Sequence, residues 1–228
     1  MWGSIANTMP TTFWVLWYIL SNENAYNAVQ TEIDKISSEY AHEDGIFDQE
    51  ALEKMVVIES IFKETLRLQS ESLVARNVLE DCVFDLKIPG HSRKYSLKKG
   101  SRVIVYPSML HYDDEVFANS KEFQWDRFLA SSDGKEKVFF KDGKLIANPI
   151  RPFGGGSSMC PGRKFALNEV KQCVATFFRH FHMSLDLVDG CIPSCPQTDP
   201  ERIGLGVKAP ETDVLLVLRS RMGTKTSQ

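Results

Sequence analysis

The sequence predicts a mainly α-helical protein with a small antiparallel β-sheet, an α+β chain. Three observations carry that reading. Apolar residues recur at helical spacing over 1–69 and again after residue 161. Short β-prone runs between glycine and charged turns fill 73–106 and the tail from Met183. No repeat or low-complexity segment interrupts this order.

The chain has 228 residues, 43% hydrophobic and 25% charged, enough for one large domain or two small ones with a core. A net charge of −3 gives no nucleic-acid surface. Lys98-Lys99 and Arg219 to Arg221 read as solvated faces. The five cysteines have no CxxC spacing. Cys82, Cys173, Cys191 and Cys195 read as free thiols, and Cys191 with Cys195 lacks the two nearby ligands zinc would need.

The elements follow in order. MWGSIANTMPTTFWVLWYIL reads as a buried helix over 1–20. It has no basic n-region and no small-residue cleavage site, and Phe13 to Leu20 is too short an apolar run to span a bilayer. Pro10 removes one helical hydrogen bond and favours a kink. Ser21-Asn22 stops that helix. Glu23 to Glu39 restarts with Ala25, Ala28, Val29, Ile33 and Ile36 on one face. After a polar loop, His42 to Asp48, Asp48 caps a single helix running to about Gln69. Leu73–Val78, Cys82–Ile88 and Arg102–Tyr106 are expected to form one small sheet. Short helical pieces follow to Phe128. Residues 129–151 form a polar hairpin or meander, with turns at Asp133-Gly134 and Asp142-Gly143. Pro161 opens a helix over 161–181, with a stripe of Phe165, Ala166, Val170, Cys173, Val174 and Phe177. The tail over 183–220 is expected to pair Arg202–Lys208 with Asp213–Arg219, and the last six residues to be disordered.

The chemistry concentrates in RPFGGGSSMCPGRKFA, residues 151–166. Proline suits a first helical turn, which puts Cys160 at a helix N-terminus, a setting that favours the thiolate. The upstream glycines let the backbone fold closely around the sulfur. Such a thiolate is a nucleophile or a metal ligand, and a plain tight turn is an equal alternative on composition alone. A nucleophile wants a base, and none of the five histidines is obviously placed. A planar iron cofactor with Phe153 beneath it fits better.

Phe153, Gly154, Gly156, Cys160 and Gly162 match F-G-x-G-x-x-x-C-x-G, and the chain resembles the cytochromes P450 on that loop. Three further features stand in the family's order. Glu64-Thr65-Leu66-Arg67 resembles its E-x-x-R motif, with Arg127 as the partner arginine and Asp126 where glutamate is usual. Alone, a Glu and an Arg at this spacing are a common helix-surface pair. Arg76 stands where the family often has a haem-propionate contact, whereas Ser158 stands where many members have Arg or His. Asn7-Thr8 stands where the family has an acidic residue and then threonine. There the threonine hydroxyl positions water and dioxygen for protonation. Asn7 replaces the acid, so a relay must use water or another group.

The resemblance implies haem b (iron-protoporphyrin IX) with Cys160 as axial iron ligand, and Phe153, Gly154, Gly156, Gly162 and Arg76 around it. It implies Glu64, Arg67 and Arg127 as structure, and Thr8 with Asn7 on the catalytic side. W-x-S-x-A-N-T-x-P-T-T-F-W, F-x-W-D-R-F-L, F-F-K-D-G-K-L and R-I-G-L-G resemble the branch that holds sterol 7α-hydroxylases, sterol 12α-hydroxylase and prostacyclin synthase. Residues 203–207 and the opening helix would line the pocket by this likeness. The implied function is hydroxylation of a sterol or related lipid, using molecular oxygen and NADPH-cytochrome P450 reductase, on the cytosolic face of the endoplasmic reticulum membrane. The alternatives are a peroxide isomerase of the prostacyclin synthase type and a short, non-catalytic interaction product. The whole of 1–228 reads as a partial domain beginning inside the family's long central helix. Membrane contact would then lie in a missing N-terminal half, and the chain alone would not catalyse.

Overall fold

Four helices pack mutually to form the core: α1 (Trp2–Leu20), α2 (Glu23–Tyr40), α4 (Val56–Gln69) and α6 (Arg163–His180). Between them lie α3 (Gln49–Lys54) and α5 (Ser108–His111). The computed structural model describes residues 2–40, 46–88, 91–202 and 206–221. The expected disordered tail, most of the loop from His42 and part of the 203–207 segment lie outside the described residues.

α1 buries Trp14, Val15, Trp17 and Ile19. It continues through Pro10. The hydroxyls of Thr11 and Thr12 donate to the Asn7 and Thr8 carbonyls at 2.7 and 2.9 Å. Among the described residues no helix is long and apolar enough to cross a membrane. Asn22 ends the stop after α1 by accepting the Ala25 N–H, 3.0 Å, on its side chain. α2 then buries Ala25, Val29, Ile33 and Ile36, the stripe read from spacing.

Asp48 caps α3 by accepting the Ala51 N–H at 2.8 Å. The single helix expected over 48–69 is instead two, broken at Met55, whose ψ of 73° leaves the helical region. Glu32 of α2 is the reason the second can start cleanly. Its carboxylate accepts the Val57 and Ile58 N–H groups at 2.7 and 3.1 Å, satisfying donors a helix start leaves open. Burial pushes that carboxyl up from 4.5 despite these bonds.

The face of α6 also differs from expectation. Val170, Lys171, Val174, Ala175 and Phe178 are buried, whereas Phe165 is 63% exposed. Lys171 can sit on the inner face because its charge and its N–H groups find partners there. It donates to the Leu52 carbonyl at 2.9 Å and pairs with Glu59 at 2.7 Å. Burial alone would raise the Glu59 carboxyl, but bonds from Lys171 and Lys63 outweigh it and hold it below 4.5.

Among the described residues the β structure is four two-stranded antiparallel sheets rather than one sheet. β1 (Val74–Asn77) pairs with β4 (Arg102–Val105), and β2 (Cys82–Ile88) with β3 (His91–Leu97). β5 (Phe140–Lys141) and β6 (Lys144–Leu145) flank the Asp142-Gly143 turn. Both turn residues take positive φ, 50° and 69°, as a two-residue hairpin loop requires. β7 (Phe181–Leu185) pairs with β8 (Leu216–Ser220). That pairing corrects the expected tail hairpin. The 206–208 segment is unavailable because it bonds to the end of α4: Glu71 N–H to Gly206 and Lys208 N–H to Gln69, each 2.8 Å.

Candidate functional site

The loop ahead of α6 is shaped by two left-handed glycines, Gly154 with φ 74° and Gly156 with φ 63°. A side chain at either would be strained. Gly154 N–H donates to the Arg151 carbonyl at 3.2 Å, and Met159 N–H to Gly156 at 3.2 Å. Cys160 N–H donates to the Phe153 carbonyl at 3.0 Å and closes the loop. The thiol of Cys160 is free and exposed. Ser158 ends the short turn Gly156–Ser158.

Pro161 does not sit in the first helical turn. Gly162 is the N-cap and α6 begins at Arg163. The reason is local. Ala166 N–H donates to the Gly162 carbonyl at 2.9 Å, and the Arg163 guanidinium donates to the Cys160 carbonyl at 3.2 Å. Cys160 therefore stands three residues ahead of the helix rather than against its end. Phe153 stacks on Phe62 of α4, ring centroids 6.3 Å apart and planes 23° apart. Arg76 of β1 reaches the loop from the other side, donating to Gly155 at 2.7 Å and to Ala75 at 2.8 Å.

Behind the loop, Glu64, Arg67 and Arg127 meet. Glu64 and Arg67 are 0% exposed and Arg127 is 6%. Two Glu64 oxygens take the Arg67 fork at 2.8 Å each, and one of them takes Arg127 Nε at 3.0 Å. Gln124 N–H adds a fourth bond to Glu64, 3.1 Å. One carboxylate thus faces two guanidinium groups. The surplus positive charge is met by main-chain carbonyls: His111, Ser120 and Glu122 for Arg67, and Ala118 for Arg127. Phe117 lies 5.0 Å from Arg67 and adds a ring face. A surface pair, the common fate of this spacing, is therefore not what the chain builds.

His111 joins this cluster to the loop. Its carbonyl accepts Arg67 at 2.6 Å, and its Nε2 accepts the Arg151 N–H at 3.0 Å. The proton of the neutral ring is thereby placed on Nδ1. Burial, and then the Arg67 charge, push this imidazole from 6.5 down to about 4. The unfolded chain binds a proton that the fold refuses between these values. The His111 contribution is therefore full above 6.5 and is lost as the pH falls toward 4. We expect the unfolding midpoint to fall over that window, and His111→Gln to flatten the fall, measured by urea titration at several pH values.

On α1, Thr8 is buried. Asn7 presents its carboxamide oxygen to the Val207 N–H at 3.0 Å. Sequence reasoning found Asn7 but not this partner, and it did not find His111. No local pattern marks a main-chain N–H or carbonyl as a distant partner.

The profile of the cytochrome P450 family matches residues 1–215, and the chain belongs to that family. It is 39% identical over 225 residues to a 25-hydroxycholesterol 7-alpha-hydroxylase of Rattus norvegicus, covering 94% of this chain and 50% of that relative. It is 36% identical to a 5-beta-cholestane-3-alpha,7-alpha-diol 12-alpha-hydroxylase of Sus scrofa, covering 97% of this chain and 44% of the relative. It is 31% identical to a prostacyclin synthase of Rattus norvegicus, with the same 97% and 44% shares. The chain thus spans half or less of the length of these relatives. The family implies haem, and the donor set fits it. Cys160 is a free, exposed thiol, the left-handed glycines allow close backbone approach, and Arg76 brings a guanidinium to the loop.

Proposed function

We propose that the whole protein is a haem-thiolate monooxygenase that hydroxylates a sterol or related lipid. The observation that carries this reading is the free, exposed Cys160 on its left-handed glycine loop. Relatives named as sterol hydroxylases at 39% and 36% identity support the substrate class.

When bound, haem supplies dioxygen chemistry at an iron whose thiolate ligand favours O–O cleavage. The chain's own residues hold and shield that group. Cys160, a free and exposed thiol, would hold the iron as its thiolate. Phe153, fixed by its stack on Phe62, covers the thiolate side and excludes water. Gly154, Gly156 and Gly162 keep the loop close, and Arg76 offers its fork to a propionate. Ser158 offers no charge there, which leaves more of that task to Arg76. Thr8 positions a water and passes a proton at its hydroxyl. Asn7 carries no acidic proton, so the relay runs through Thr8 and water. In the overall reaction one oxygen atom enters a substrate C–H bond and the other leaves as water, with electrons from NADPH through its P450 reductase. Lys63, Arg163 and Lys164 line a depression of about 240 Å³ together with Phe153. The reading places the whole protein on the cytosolic face of the endoplasmic reticulum membrane.

The test is conversion of an oxysterol by the whole protein. Product that requires both NADPH and reductase is the expected result. A second reading, peroxide isomerisation, is favoured by the prostacyclin synthase likeness, whereas Thr8 after Asn7 favours hydroxylation, because an isomerase needs no oxygen-activating threonine. Conversion of a lipid peroxide without NADPH or reductase would establish it instead.

A further inference from the structure

The 206–208 segment crosses between α1 and the end of α4, and each of its residues is held by its backbone. Gly206 C=O accepts the Glu71 N–H at 2.8 Å. Val207 N–H donates to the Asn7 oxygen at 3.0 Å. Lys208 donates to the Gln69 carbonyl at 2.8 Å and accepts Trp14 Nε1 at 2.7 Å. Asn7 and Trp14 thus grip this segment from α1, while Gln69 and Glu71 grip it from α4.

The fit at Asn7 is specific on both sides. Gly206 has φ 131°, a conformation side chains rarely adopt, and a Cβ there would overlap the Asn7 carboxamide oxygen. Val207 offers a donor, so Asn7 must turn its oxygen, not its nitrogen, toward it. The side chain is committed to the backbone, one residue before the buried Thr8. Val207 in turn packs against both apolar clusters of the core.

We propose that Asn7 is a positioning residue, and that with Gly206 it forms a latch holding the Val207 segment at a fixed distance from α1. Its role is to set the wall beside Thr8, and so where on a bound lipid oxidation falls. That last step rests on the monooxygenase reading; the latch itself does not.

The latch needs an acceptor at residue 7 and no Cβ at residue 206. Asn7→Asp keeps the acceptor, Asn7→Leu removes it at similar volume, and Gly206→Ala fills the space. The first measurement is amide hydrogen exchange at Val207 in the whole protein. Asn7→Leu and Gly206→Ala should each speed it about tenfold, the scale of one lost hydrogen bond, and Asn7→Asp should leave it unchanged. With Asn7→Ala, the further effect of Gly206→Ala should shrink, because the overlapping oxygen is gone. Unchanged exchange in Asn7→Leu, or full additivity in the double variant, overturns the latch.

The second measurement is the distribution of hydroxylated products. Asn7→Leu and Gly206→Ala should broaden it, and Asn7→Asp should preserve it. A merely stabilising contact would lower yield without moving the distribution. If Asn7→Asp broadens it while Val207 stays protected, Asn7 acts directly at the reaction and the positioning role is wrong. If no variant or parent hydroxylates anything, the monooxygenase reading fails, and exchange at Val207 still decides the latch.

Discussion

Replacing Glu64 by alanine is expected to leave no stably folded protein. Arg67 and Arg127 both bond to this carboxylate, and both are buried. Carbonyls satisfy their remaining N–H groups but carry no full negative charge. Removing the carboxylate strands two cations in the interior. Breaking one buried pair costs about 3–5 kcal/mol, and a domain has only about 5–15 kcal/mol in all. Soluble yield and thermal midpoint check this. Arg67→Lys should fail for a related reason: an ammonium cannot span both Glu64 oxygens and the separate carbonyls of His111, Ser120 and Glu122. A Glu64→Ala protein with the parent midpoint would show that the cluster does not hold the core.

Replacing Cys160 by alanine should give the opposite pattern, an intact fold without its chemistry. Cys160 is exposed. The bond that closes the loop uses its main-chain N–H, which alanine keeps. Stability should change by no more than about 0.5 kcal/mol, as at other exposed positions. Yet the absorbance of a thiolate-ligated haem, read in the reduced carbon monoxide complex, should disappear entirely. A thiolate spectrum that persists would remove Cys160 as the ligand. A collapse of the fold would show instead that the loop needs the thiol to form.

These two substitutions also separate what the sequence made legible from what it could not. The Asp48 cap, the α2 stripe and the Asp142-Gly143 turn depend on neighbours within a few residues, and each was readable. The glycines around Cys160 were readable too, because left-handed φ is a local demand. The break at Met55 was not, because the donors that follow it are met by Glu32, far back on α2. β3 was missed because His91, Ser92, Arg93 and Lys94 carry no strand pattern, and pairing with β2 orders them. The β7–β8 pairing was missed because strand partners are chosen in space, and the segment expected to pair with β8 is taken by α4 and α1. Lys171 was hidden by its own charge; the Glu59 carboxylate and the Leu52 carbonyl make its burial tolerable. Within the site, motif spacing marked Glu64, Arg67 and Arg127. His111 bridges that cluster to Arg151 through a carbonyl and a ring nitrogen that no motif encodes.

The claim that the whole protein is a monooxygenase of a sterol or related lipid is tested most directly with isotopically labelled dioxygen. The haem-loaded protein is incubated with an oxysterol, NADPH and P450 reductase, and the product is weighed by mass spectrometry. The account predicts one labelled oxygen atom in each product molecule, with none when NADPH is left out. Unlabelled product, or a rearranged peroxide formed without NADPH, would contradict it.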